Sequence, residues 1–134
     1  PSHTRHPLFR AAFIATLIPL RDLMFKCAKH AQPIAFTDDV VQTDKVVNVS
    51  DLIKYVRDAL CHPDSPHHYI EPGNIKATFN VAFGAGCLMK MGDFEQVSPY
   101  ADDICFFFGT QRILLRRHIL RAFEEAKAKL SPLL

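Results

Sequence analysis

Ser98-Pro99-Tyr100-Ala101-Asp102-Asp103-Ile104-Cys105-Phe106-Phe107-Phe108-Gly109 opens the last quarter of the chain, and its reading sets the fold class. Serine is a favoured helix cap, and proline suits the first helical position, where no backbone N–H is needed. Asp102 and Asp103 then fall in the first turns, where the helix dipole favours anions. Together these predict the longest helix of the protein, running to about Leu130 and ending before Pro132. Ile104 to Phe108 would be apolar around much of that helix, which requires burial on more than one side. Gly109 in mid-helix would cost about 1 kcal/mol relative to alanine, so its expected use is close approach of another helix.

Working outward, the same signals recur. Ser50 and Asp51 mark the start of a second helix with Leu52, Ile53, Val56, Ala59 and Leu60 on its apolar face. Pro63 stops it, and Pro63-Asp64-Ser65-Pro66 reads as a turn. A first helix is expected from about Pro7 to Ala31, with a kink or break where Pro19 interrupts it, near Thr16 to Ile18. Residues 34 to 49 read as an ordered loop with room for a turn of helix. From Asn74 to Met91, Ile75, Ala77, Phe79, Val81 and Phe83 recur with period two, a strand signal, before Gly84-Ala85-Gly86. A small hairpin is the expectation there. A continuous helix is the alternative, weakened by Gly73, Gly84, Gly86 and Gly92. The resulting fold class is mainly α: a helical bundle with a small β-hairpin insertion.

The 134 residues correspond to one domain, 1–134, of ordinary globular composition, 49% hydrophobic and 22% charged. Eleven Phe and no Trp predict a phenylalanine-rich core. A net charge of +2 demands neither nucleic acid nor membrane, so an anionic ligand would need a local basic patch. Cys27, Cys61, Cys87 and Cys105 show no C-x-x-C spacing, which points to reduced thiols and a cytoplasmic protein. The first residues do not read as a secretory signal, and the longest apolar run is far shorter than a membrane span.

The chemistry-bearing stretch is Arg57-Asp58-Ala59-Leu60-Cys61-His62. Five residues separate Arg57 from His62, which on a straight helix sets them about 140° apart. His62, however, precedes Pro63, and a residue before proline is driven out of the helical region. Asp58 lies four residues before His62 on the same face, placed to orient an imidazole. Arginine suits phosphate oxygens, and histidine suits proton transfer near neutral pH.

These six residues resemble the R-x(4–6)-H motif of the HEPN superfamily, in which a polar residue often follows the arginine. The expected helical pattern resembles that family's bundle too. The resemblance implies a HEPN-like fold and metal-independent RNA cleavage by a homodimer whose two motifs line one cleft. Arg57 and His62 would be catalytic, with Asp58 positioning them. No cofactor is implied. RNA is the implied substrate, of the kind cut by toxins or in anti-phage defence, with a nucleotidyltransferase-type antitoxin as a possible partner. The alternative is a non-catalytic helical scaffold that binds nucleotide or a partner protein through the same surface.

Two further groups belong to this reading. His67, His68 and Tyr69 would contact phosphate or stack on a base at the mouth of the cleft. Cys61-His62 and His67-His68 also raise zinc, but adjacent side chains seldom converge on one ion, and no metal is expected. Arg112, Arg116, Arg117, His118 and Arg121 form the densest basic stretch, with Arg116 and Arg117 expected to follow an RNA backbone. The competing use of these arginines is a solvated face, with Arg121 paired to Glu125.

Overall fold

The computed structural model describes residues 2–4, 6–62, 69–70, 75–76 and 79–134. Helix α1 spans Pro7–His30 and buries Phe13, Leu17, Leu20, Met24 and Cys27. His6 caps it by accepting the Leu8 N–H. The helix continues through Pro19 without a break. Residues 31–48 form no regular element. Helix α2 spans Val49–Cys61 and buries Val49, Leu52, Ile53, Val56, Ala59 and Leu60. Its cap is Asn48 rather than Ser50: Asn48 Oδ1 accepts the Asp51 N–H at 3.0 Å. Ser50 instead donates its hydroxyl to the Ile34 carbonyl, tying the helix start to the preceding loop.

The rest of the described chain is mostly strand. After β1 (Ser2–Thr4) come the short hairpin of β2 (Tyr69–Ile70) and β3 (Ile75–Lys76), then β4 (Phe79–Phe83), β5 (Gly86–Met91), β6 (Phe94–Ser98), β7 (Ile104–Phe108) and β8 (Gln111–Leu114). A four-stranded antiparallel sheet has the order β1-β4-β7-β8, and β5 and β6 make a separate antiparallel pair. A π-helical segment, Leu115–Leu120, leads directly into α3, Arg121–Leu130.

This corrects the expectation of a mainly α, HEPN-like bundle: the protein has a mixed α and β fold. The error lies in 98–114. Ile104 to Phe108 alternates between faces as a strand must. Phe106 and Phe108 join the core beneath the helices, whereas Cys105 and Phe107 join a second cluster with Ala82 and Leu114, against which Leu88 and Tyr100 pack. A five-residue apolar run satisfies a two-sided buried strand as well as it does a buried helix. Gly109 serves a two-residue hairpin turn, with φ 59° between the paired Phe108 and Gln111. The small hairpin expected around Gly84-Ala85-Gly86 is also replaced: β4 pairs with β1 and β7, and β5 with β6.

The three helices contribute to one core that also takes in Phe108 and Ile113 from the sheet. Phenylalanines join α1 to the strands. Phe13 stacks on Phe106 at 4.4 Å between centroids and meets Phe79 at 5.3 Å. Among the described residues no helix is long and apolar enough to cross a membrane.

Candidate functional site

The C-terminal end of α2 carries the predicted pair. Its last turn ends at Cys61, and His62 follows in an extended conformation, φ −120° and ψ 95°, as its place before Pro63 requires. The backbone N–H of His62 still donates to the Asp58 carbonyl at 3.0 Å, so the residue is tethered to the helix while its side chain leaves the helical path. His62 is exposed. Arg57 and Asp58 are each about one-third exposed, at 27% and 31%, and form an ion pair through Arg57 Nη1 and Asp58 Oδ1 at 3.0 Å. Asp58 thus engages the arginine with its side chain and the histidine with its carbonyl. Arg57 Nε is buried and has no hydrogen-bond partner among the described residues. The arrangement holds the Arg57 guanidinium against Asp58 and leaves an exposed His62 just past the helix end.

The other predicted binding residues are placed differently. His67 and His68 lie outside the described residues, and Tyr69 is described only as backbone, in β2 opposite Lys76. Arg116 and Arg117 sit at the start of the C-terminal helical segment. Arg116 is exposed and lines a shallow cavity of about 450 Å³ with Asp102, Asp103 and Leu115, to which α2 contributes nothing. Arg117 is held within the fold: it donates to Asp102 at 3.0 Å and Asp103 at 3.1 Å, and its guanidinium lies 3.6 Å above the Tyr100 ring. Bonding to Asp102 raises the arginine's pKa further and lowers that of Asp102. Arg121 is also engaged, by Asp38 at 2.9 Å, by the Phe36 ring and by Glu125 at 3.9 Å. The basic stretch is therefore mostly occupied in joining the C-terminal helix to the 36–39 and 100–103 loops.

Two groups at this junction have structural roles that their sequence context did not reveal. Asp103 is buried and accepts from the Arg116 N–H at 2.8 Å and the Arg117 N–H at 3.2 Å. It caps the C-terminal helical segment from a distance. His118 is buried, with Nδ1 accepting the Leu114 N–H at 3.0 Å and Nε2 facing the Asp38 carbonyl at 3.0 Å. Those partners assign the neutral Nε2–H tautomer. Both ring nitrogens of this buried side chain are engaged by backbone groups, which makes His118 a structural link, and burial lowers its pKa. Its spacing four residues after Leu114 was the available clue.

A second feature lies at the other end of α2. A cleft of about 170 Å³ opens between Arg21, Met24, Phe25 and Ala28 of α1, the Pro33 loop, and Ser50, Asp51 and Lys54 of α2. Among the described residues no cluster of histidine, cysteine or acidic groups could hold a metal ion. No protein-family model, curated protein or solved structure matches the chain.

Proposed function

We propose that this protein is a metal-independent endoribonuclease, of toxin or defence type, in which Arg57 and His62 act on one phosphodiester. The observation that carries the reading is the end of α2: the helix stops at Cys61 and presents an exposed His62 immediately after it, four residues beyond Asp58 of the tethered Arg57–Asp58 pair. The resemblance that prompted it now rests on these six residues and not on the fold.

In the proposed reaction the ribose 2′-oxygen attacks the adjacent phosphorus and its proton passes to a base. The P–O5′ bond breaks, and the departing oxygen takes a proton from an acid. Imidazole can serve either step, and two copies of the chain meeting at this helix end would supply one histidine for each. The Arg57 guanidinium balances charge growing on the phosphate oxygens. Asp58 holds the guanidinium in position. The four free cysteines accord with a reducing compartment, so the cytoplasm is the proposed setting, with a nucleotidyltransferase-type protein as a proposed antitoxin.

The test is RNA cleavage in EDTA. The wild type should cut, and His62→Ala and Arg57→Ala should each lose at least about 100-fold in rate while keeping native circular dichroism. Intact RNA after prolonged incubation with the folded wild type would overturn the proposal. Binding of nucleotide or a partner protein at this surface without cleavage would establish the non-catalytic scaffold instead.

A further inference from the structure

We infer that the cleft between α1 and α2 is a stacking subsite for one unpaired base of an RNA strand, with Arg21 and Lys54 receiving the phosphates beside it. The inference rests on the proposed nuclease reading for the strand's identity, but on separate residues for the site.

Size comes first. A cavity of about 150 Å³ admits a benzene ring, whereas pockets for drug-sized ligands run from about 300 Å³ upward. At about 170 Å³ this cleft is suited to a single ring. Its walls include Met24, Phe25, Ala28 and Pro33, all apolar. Phe25 is 58% exposed, an unusual placement for a phenylalanine, and leaves part of its ring accessible. The Arg21 guanidinium lies over that ring, 6.0 Å from its centre, so a planar ligand packed at Phe25 would have a cation beside it.

Charge decides the kind of ring. Neither Arg21 nor Lys54 has an ion-pair partner among the described residues, and Arg21 Nε is buried without a hydrogen bond. Asp51 is the acidic group in the wall, and its Oδ2 accepts the Val47 N–H at 3.1 Å. Ser50 is committed to the Ile34 carbonyl. At the Pro33 lip a third cation, Lys129, donates to the Pro33 carbonyl at 3.1 Å. An apolar slot ringed by cations fits a base attached to a phosphate chain better than a neutral aromatic side chain.

Position links the cleft to the proposed cutting site. Lys54 and Arg57 are three residues apart on one face of α2, and Cys61 continues that face. From Lys54 to the helix end is about 10 Å, the length of about three stacked nucleotides. Arg57 lies about 4.5 Å along the axis from Lys54, so a strand running along α2 would place a base in the cleft one or two nucleotides from the phosphate held at Arg57. Single strands bind through such pairings of aromatic ring and cation, and a duplex cannot release a base into the slot without unpairing it.

The experiment measures binding of fluorescein-labelled 12-nucleotide single-stranded RNA by anisotropy, in EDTA and at several salt concentrations, with a duplex of the same sequence and a poly-glutamate peptide as competitors. His62→Ala protein prevents cleavage from obscuring binding. The expected result is a preference for the single strand, a loss of about 5- to 100-fold for Phe25→Ala, and a salt slope lowered by about 0.7 for each of Arg21→Ala and Lys54→Ala. Phe25→Leu, which keeps the apolar bulk without the π face, should bind nearly as poorly as Phe25→Ala. Equal affinity for duplex and single strand, unchanged affinity in folded Phe25→Ala, or displacement by poly-glutamate at similar concentration would each overturn the subsite, the last in favour of an acidic protein partner. Single-strand binding that needs Phe25, by a wild type that never cuts RNA, would leave the subsite standing and remove only the nuclease.

Discussion

Removing the Asp103 carboxylate should be among the most destabilising single changes available to this protein. The side chain is fully buried, and Oδ1 accepts the N–H groups of Ile104 and Arg116, each at 2.8 Å. Oδ2 accepts the Arg117 N–H at 3.2 Å and its Nη1 at 3.1 Å. Asp103→Ala therefore strands three backbone donors and deprives a partly buried guanidinium of one counter-charge. Breaking a buried ion pair by deleting one partner costs about 3–5 kcal/mol, and loss of a helix cap alone costs about 0.5–2 kcal/mol. These effects share the same atoms and do not add, so about 3–5 kcal/mol is expected in total. A domain of this kind has only about 5–15 kcal/mol to lose. The corresponding fall in Tm is about 10–20 °C. Asp103→Asn, which keeps the volume and one acceptor oxygen, should cost about half as much. Urea unfolding followed by circular dichroism gives the measurement, with a shifted midpoint at constant m-value for the change to be one of stability. If Asp103→Ala unfolds within about 1 kcal/mol of the wild type, the inference that this carboxylate fixes the C-terminal helix is wrong.

Two other predictions follow from buried groups. The folded pKa of His118 is lowered by burial, so the unfolded chain takes up its proton first as pH falls. Stability should be full above the ordinary histidine value of about 6.5 and decline below it, and His118→Gln should flatten that slope in unfolding curves taken between about pH 5 and 7. Burial pushes the Cys105 thiol up to about 12, and Cys27 is buried with its thiol donating to the Gln32 carbonyl, whereas Cys87 is exposed. Iodoacetamide at pH 8 should label Cys87 rapidly in the native protein and reach Cys27 and Cys105 only on unfolding, as mass spectrometry of peptides would show.

The helices α1 and α2 are readable because their signals are local. Pro7 starts one, Pro63 limits the other, and Leu52, Ile53, Val56 and Leu60 fall on the stripe that is buried. The extended conformation of His62 follows from a single neighbour, Pro63. The C-terminal third is different because its decisive contacts are distant. Asp103 has the chemistry of a cap, but the N–H groups it receives belong to residues 13 and 14 positions later, beyond an intervening hairpin. Strand β4 alternates legibly, yet its partners β1 and β7 lie on either side of it in sequence, so the run alone gives no register. The cleft at Phe25 was equally hidden: Arg21 and Phe25 are one turn apart on α1, but Lys54 reaches them only through helix packing.

The order in which the core is assembled has a consequence for synthesis. The apolar faces of α1 and α2, with Leu17, Met24, Leu52 and Val56, belong to the same cluster as Phe108, Ile113 and Ile119. A ribosome adding about 5–20 residues per second takes about 3–12 seconds to pass from the end of α2 to the start of α3. During that interval the two helices can cover each other but not complete their burial, and β1 awaits the strand that pairs with it. Nascent chains should therefore be captured by chaperones that bind apolar helical surface, and a pause placed between codons 62 and 104 should increase aggregation more than one placed after codon 120.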